Sequence, residues 1–445
     1  MRNCQGDIAD LSDRFCVFVS YNLRICQMTL YPRHIRAELE SALEDTPVTV
    51  VVGPRQSGKS TLASDVAATR DARQVSLDDQ GPRTAANADP TGFIDQSELP
   101  LLIDEFQKAP ALLEAIKSRV DRARRNQEQT AGMFLLTGSA NVWSTLKISE
   151  SLAGRAERVQ LWPLSRGEIL GHREDFIDGL FESRVPRIAG APTGRDAIAG
   201  ELVVGGYPEM LARPQPKRRS HWVKNYIEMI LERDVKDLAQ KAQQLDELPR
   251  LLELAAARVA NLLELASMGR AIGMKRDSVS RYLKLLELMF LIRRVPAWSR
   301  NIGQRLIKSP KLWLPDSGLT CELVGYSEER FSNDETSLAG ALFENFVAGE
   351  IAKQATWCES QVRLHHFRTA GGREVDIVIE SKAGDVAGIE AKLAVAPTER
   401  DFSGLAHLRD QLGNRFASGV LVHTGSDTLP FGDRLWAVPV SALWT

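Results

Sequence analysis

A chain of 445 residues is too long for one compact core, so roughly two to four domains are expected. Its 43% apolar and 26% charged residues exclude a wholly disordered or fibrous chain, and 56 basic against 58 acidic residues exclude nucleic-acid affinity carried by net charge alone. No apolar run reaches the roughly 18 residues of a bilayer span, and Cys4, Cys16, Cys26, Cys321 and Cys358 form no CxxC pair, which argues against a disulfide framework or a structural zinc and favours a reducing cytoplasm.

The N-terminal stretch FCVFVSYNLRICQ is mildly apolar, but Arg24 interrupts it and no basic start precedes it, so it does not read as a signal peptide. Residues 1–27 are expected to be an extension ahead of a domain that opens at Met28. Short apolar runs at 48–53, 73–77, 100–104 and 132–137 alternate with helical stretches such as ALLEAIKSRVDRARR, the pattern of a parallel sheet with helices on both faces. Pro- and Gly-containing segments at 185–195 and 212–219 mark where this domain gives out, and its bounds are placed at 28–215. A strongly helical region (216–330) and a final α/β region (331–445) follow.

Gly53, Pro54, Arg55, Gln56, Ser57, Gly58, Lys59 and Ser60 fit GxxxxGK[ST] directly after a buried strand and at the opening of a helix, with Thr61 next in line. In that context backbone N–H groups turn toward phosphate oxygens, the lysine reaches the β and γ phosphates, and the hydroxyl of Ser60 holds Mg²⁺. About 45 residues later, LPLLIDEFQKAP ends an apolar strand with Asp104 and Glu105. The first is placed to fix Mg²⁺ and the second to polarise an attacking water. The next strand, FLLTGS, carries Thr137 and Ser139, hydroxyls suited to sensing a γ-phosphate. Arg155, in SLAGR, is the candidate cation for the developing charge, acting in its own or a neighbouring subunit, with a surface ion pair as the other reading.

The order GPRQSGKST, LDD, LLIDEFQKAP, LLTGS, SLAGR, LWPLS and YIEMILERDV resembles the bacterial and archaeal AAA-type ATPases that carry a DUF4143 C-terminal region. The resemblance extends over nearly everything after Met28. It implies a P-loop sheet with an extra strand between the two Walker motifs, ATP as nucleotide and Mg²⁺ as cofactor, and it makes Arg233 a candidate for nucleotide sensing, against the alternative of a helix-surface ion pair.

In the helical middle, LLELASMGRAIGMKRDSVSRYLKLLELMF reads as a helix, a turn around Gly273 and a second helix capped by Asp277. Val279, Leu283, Leu286 and Phe290 form its buried stripe and leave Lys275, Arg276, Ser278, Arg281 and Lys284 outward. With LIRRVPAW and PKLWLPD as a wing, this matches a winged helix, used either for DNA contact or for packing against protein.

The last domain carries FRTAGGREVDIVIESKAGDVAGIEAKLA. Glu390 and Lys392, two apart on a strand, share a face, and Asp376 approaches from the strand before, across a hairpin at Gly384 and Asp385. Two carboxylates can bind Mg²⁺ and a lysine beside them can orient or deprotonate a water, with Glu344 on the preceding helix as a further acidic member. The set resembles the PD-(D/E)xK nuclease superfamily, although EVD stands where that family has Pro-Asp, and the fold is compatible with cleavage or with binding alone.

The expected architecture is therefore α/β: a P-loop parallel sheet with helices on both faces, then a helical winged-helix domain, then an α/β restriction-endonuclease-like domain. The expected activity is ATP binding and hydrolysis coupled to DNA binding and to metal-dependent nucleic-acid cleavage, in a cytoplasmic protein without membrane contact that is compatible with homo-oligomers. The alternative is an ATP-dependent regulatory or scaffolding switch whose nuclease-like domain binds without cutting. A remodelling ATPase would need an aromatic-Gly pore loop after the second strand, which the sequence lacks.

Overall fold

The computed structural model describes residues 30–138, 152–189, 194–234, 247–333 and 336–445. After helix α1 (Arg36–Asp45), the run VTVVV forms β1 (Val48–Val52), every residue of it buried. β-branched side chains of this kind are stiff at χ1 and pack well on a pleated surface. Helix α2 (Lys59–Thr69), β2 (Arg73–Ser76), β3 (Leu101–Asp104), helix α3 (Leu112–Arg125), β4 (Phe134–Thr137) and β5 (Ala156–Gln160) complete the first domain. The strands lie in the order β2-β3-β4-β1-β5, and all four neighbouring pairs are parallel.

Alternation along the strands divides the buried side chains between two faces. Val48, Val50, Leu101, Ile103, Phe134 and Leu136 pack with Leu112, Ile116 and Val120 of α3. Val51, Leu102, Leu135 and Val159 pack with Leu39 of α1 and Leu62 and Val66 of α2. Helices on both faces, as expected, leave the carboxyl ends of β1, β3 and β4 side by side, the place where an open α/β sheet forms its binding crevice.

The middle region contains α4 (Pro216–Met229), α5 (Leu248–Ala257), α6 (Leu265–Ile272) and α7 (Arg276–Leu288), followed by an antiparallel ribbon of β6 (Arg293–Val295) and β7 (Lys311–Trp313). The turn at Gly273 is present: its φ of 74° is left-handed and it ends α6. Two details differ from expectation. Lys275, not Asp277, is the residue before α7, and Asp277 lies inside the first turn without a capping bond, where its charge still favours the helix N-terminus. Val279, Leu283 and Leu286 are buried, but Phe290 leaves the helix at φ 58° and sets its ring edge-on to Trp162 of the first domain.

The C-terminal region consists of α8 (Ser337–Gln354), β8 (Val362–Arg368), β9 (Glu374–Ser381), β10 (Val386–Lys392), α9 (Ser403–Leu412), β11 (Phe416–His423), β12 (Leu429–Pro430) and β13 (Leu435–Pro439). The six-stranded sheet runs β12-β13-β11-β10-β9-β8, antiparallel from β8 to β10 and parallel between β10 and β11 and between β11 and β13. Leu342 and Ile351 of α8 pack on Ile377 and Ile389, while Leu405 and Leu408 of α9 pack with Val378 and Val386. One apolar core runs from Phe176 through the middle helices to Trp444. Among the described residues no helix is long and apolar enough to cross a membrane.

Candidate functional site

The loop between β1 and α2 is shaped by two glycines. A Cβ on Gly53 would stand 2.0 Å from the carbonyl oxygen of Leu161, and Gly58, at φ 94°, turns the chain into α2. Ser57 closes the loop by donating from Oγ to Pro54 O at 2.9 Å. Inside it Lys59, 6% exposed, donates from Nζ to Gly53 O at 3.1 Å and Pro54 O at 2.8 Å. Ser60 and Thr61, in the first turn of α2, are exposed at the mouth. The ammonium thus rests on two backbone carbonyls of the loop.

Across the crevice, Ser60 Oγ donates to Asp104 Oδ1 at 2.8 Å, and Thr137 Oγ1 donates to the same oxygen. A hydroxyl and a carboxylate converging beside the loop lysine are a donor set that fits a magnesium ion between strand end and helix start. Glu105 follows with φ 55°, a left-handed conformation that costs a non-glycine residue about 1–2 kcal/mol. The turn Phe106–Lys108 holds it there, with Lys108 N donating to Glu105 O at 3.0 Å and the Gln107 amide donating to the Glu105 carboxylate. Ser139 lies outside the described residues.

Arg155 is a correction for the chain's own site. It immediately precedes β5, and Val48 at the start of β1 donates to its carbonyl at 3.1 Å. It therefore sits at the amino end of the sheet, about 15 Å of strand from the P-loop. Its guanidinium is held by Asp121 through bonds of 2.7 and 3.0 Å, and that pairing keeps the Asp121 carboxyl below its ordinary range.

In the C-terminal region β9, β10 and α8 bring Asp376, Glu390, Lys392 and Glu344 to one polar cavity of about 610 Å³. Ala391 N donates to Asp376 Oδ2 at 3.0 Å, and Lys392 Nζ lies 2.8 Å from Glu390 Oε1. A residue that sequence reasoning did not single out stands at the centre. Lys311 of β7, 1% exposed, places its Nζ 2.6 Å from Glu344, 2.9 Å from Glu374 and 2.9 Å from Asp376. Burial works against its charge, but those three carboxylates hold its pKa well above the ordinary value. Burial likewise opposes ionisation of Asp376, yet Lys311 and the Ala391 amide win and keep that carboxyl low. Glu390 is pushed up to about 8 by burial and by Asp376, against the pull of Lys392, and its Oε2 is buried without a hydrogen-bond partner. Glu344 is raised by burial and by Asp376.

Lys311 thus stands among the carboxylates expected to hold a metal, Asp376 and Glu390 with Glu344 as a further member. Among the described residues no group of three or more His, Cys, Asp or Glu side chains is arranged to hold a metal ion. An ammonium group uses the oxygens that such an ion would need.

Two further residues escape a sequence reading because their partners are remote. Arg33 donates from Nη1 to Ser57 O at 2.7 Å and from Nη2 to Trp162 O at 2.6 Å, and pairs through Nε with buried Glu168 at 3.1 Å, so it braces the P-loop from behind. Tyr226 of α4 donates to Arg55 O at 3.2 Å, lies 3.0 Å from the Tyr207 hydroxyl and stacks on Trp222, which ties the middle region to the loop backbone. Lys311 alone left a sequence signal, a single charge at the start of the apolar strand run KLWL. Arg33→Ala leaves Glu168 without its guanidinium partner and is expected to destabilise the protein by about 3 kcal/mol. A urea midpoint unchanged from wild type would show the brace to be dispensable.

Comparison with known proteins gives the class. Residues 45–170 match the AAA domain family, residues 195–330 a domain of unknown function, DUF8612, and residues 339–443 another, DUF4143. The chain thus carries an N-terminal AAA domain of the P-loop ATPase type followed by DUF8612 and DUF4143 regions. Uncharacterized proteins of Mycobacterium tuberculosis and Mycobacterium bovis are each 28% identical to it over 423 residues, covering 95% of this chain and 86% of theirs. Among solved structures, a Walker-type ATPase of Pyrococcus abyssi overlaps 66% of this chain and 99% of its own with 15% identity and a TM-score of 0.39. The RuvB Holliday junction branch migration motor of Thermotoga maritima overlaps 62% and 94% with 18% identity and a TM-score of 0.28.

Proposed function

We propose that the protein binds and hydrolyses ATP with Mg²⁺ and uses the nucleotide state to control DNA binding by its middle region. The observation that carries the reading is the meeting of Ser60 Oγ and Asp104 Oδ1 at 2.8 Å beside the cradled Lys59. Gly53 to Thr61 would hold the triphosphate, Ser60 and Asp104 the magnesium, and Glu105 would orient the attacking water. The ion, when bound, supplies charge neutralisation at the phosphates. Thr137 adds a hydroxyl at the strand end, and Ser139 keeps its proposed sensing role. Arg155, at the far end of the sheet, belongs to this mechanism only in a homo-oligomer, where it would meet the nucleotide of a neighbouring copy.

The proposed coupling runs through Tyr226, whose hydroxyl sits on the P-loop carbonyl of Arg55, into the helices that precede α7. As a winged helix, with β6 and β7 as its wing, this region would face DNA with Lys275, Arg276, Arg281 and Lys284, which are exposed. Lys284 opens onto a cavity of about 640 Å³ that Arg158, Arg293 and Arg363 also line, so positive charge continues beyond the helix. ATP turnover measured with and without duplex DNA tests the coupling, and DNA is expected to raise it several-fold. Arg281→Ala with Lys284→Ala should reduce the slope of log affinity against log salt by about 2. Equal turnover with and without DNA, or an unchanged slope, would overturn the DNA reading.

For the C-terminal domain, of restriction-endonuclease-like type on this proposal, binding without cutting is favoured over metal-dependent cleavage by Asp376, Glu390 and Lys392, because Lys311 stands among the carboxylates. Cleavage of DNA or RNA by the wild-type protein with Mg²⁺ or Mn²⁺, lost in Lys392→Ala, would reverse that preference.

A further inference from the structure

We infer that Lys311 is the resident cation of the C-terminal carboxylate cluster, and that the cluster is closed to divalent metal for as long as the β6–β7 ribbon stays docked on the C-terminal sheet. The inference rests on the non-cleaving reading of that domain and is independent of the ATPase.

The ammonium has three N–H donors and three carboxylates around it, Glu344 at 2.6 Å, Glu374 at 2.9 Å and Asp376 at 2.9 Å. A divalent ion would take the same oxygens of Asp376 and Glu344, at about 2.0–2.6 Å. The two cations exclude each other by contact and by charge. The charge count needs no metal either. Glu344, Glu374, Asp376 and Glu390 face Lys311 and Lys392, with Arg368 Nη1 3.7 Å from Glu374 Oε2. Three cations against four carboxylates leave little attraction for a further double charge.

Lys311 is 1% exposed, and the backbone that carries it is fixed on both sides. Lys311 pairs with Val295 across the ribbon and bridges to Leu262, while Leu312 N donates to Asn261 O at 3.0 Å. The ribbon is stitched to β8 as well. Trp298 N donates to His366 O at 2.6 Å, His366 N donates to Pro296 O at 3.1 Å, and His366 Nε2 lies 3.1 Å from Ser309 O. Withdrawing Lys311 from the cavity therefore means lifting a segment of the middle region off the C-terminal sheet. Among the buried acceptors without a hydrogen-bond partner is Glu390 Oε2, beside the ammonium of Lys392. Removal of Lys311 would free Asp376 and Glu344 to join it as a cation site.

The test is Mn²⁺ titration of the full-length, nucleotide-free protein, read by electron paramagnetic resonance of free Mn²⁺. Asp376→Asn serves as the variant that identifies binding at this cluster. Wild type is expected to show no Asp376-dependent site at Mn²⁺ up to about 1 mM, the weak end of protein sites for divalent ions. Lys311→Met is expected to gain one such site, roughly tenfold tighter or more, that disappears in the double variant Lys311→Met with Asp376→Asn. Asp376-dependent Mn²⁺ binding by wild type, or a folded Lys311→Met protein that gains none, overturns the inference. The wild-type arm decides by itself if Lys311→Met does not fold. A wild type that binds Mn²⁺ at Asp376 yet leaves DNA and RNA intact would remove the Lys311 inference and leave the non-cleaving reading standing.

Discussion

Lys59→Ala is expected to abolish ATP turnover and to weaken ATP binding by about 100- to 1000-fold while the fold survives. Charge-assisted hydrogen bonds are worth about 1.5–3 kcal/mol each, and an ammonium gripping two phosphates makes at least two, so about 3–4 kcal/mol of affinity disappears. The free protein loses less. There Lys59 satisfies the carbonyls of Gly53 and Pro54 at 3.1 and 2.8 Å, a neutral-acceptor role that water entering the loop can assume. The variant should therefore unfold within about 1–2 kcal/mol of wild type. Fluorescent-nucleotide titration beside a urea curve checks both halves. Retained nucleotide affinity in a folded Lys59→Ala protein would remove the P-loop as the binding site, and with it the proposal that nucleotide drives the molecule.

How much of this was legible in the sequence depends on whether the information is local. The P-loop was, because a run of β-branched residues, two glycines and a helix start form one continuous stretch, and because Asp104 and Glu105 close an apolar strand. The hairpin carrying Asp376, Glu390 and Lys392 was legible for the same reason, since alternation and a Gly-Asp turn fix which side chains share a face. β5 was not. Its sequence AERVQ buries only Val159 deeply and exposes Glu157 and Arg158, so an edge strand carries no apolar run to notice. The choice left open for Arg155, between its own site, a neighbouring one and a surface ion pair, follows from that gap. Once a strand parallel to β1 begins at Ala156, the residue before it must lie at the amino end of the sheet and the P-loop at the other. Lys311 shows the remaining limit. A lone lysine in an apolar strand signals a buried charge, but its partners sit 33 to 65 residues further on, at Glu344, Glu374 and Asp376, and only the packed ribbon brings them together.

Glu105→Gln is expected to separate binding from hydrolysis, with ATP affinity within a few-fold of wild type and turnover lower by about 100- to 1000-fold, the range a positioned base commonly contributes. The substitution is suited to the question because it alters charge and proton affinity while leaving shape. Glutamine reaches the same φ of 55° at no greater steric cost than glutamate, so the strained turn at the end of β3 and the bond from Lys108 N to the residue-105 carbonyl persist. Asp104 keeps its contact with Ser60, so the proposed place for magnesium is untouched. What disappears is the ionised oxygen that would draw a proton from water in the crevice. The strain makes the prediction sharp: about 1–2 kcal/mol spent on a left-handed glutamate is unexplained if that carboxylate merely caps a strand. Single-turnover hydrolysis by Glu105→Gln at a rate near wild type would show that the strained residue serves the fold and that water is activated by another group in the crevice.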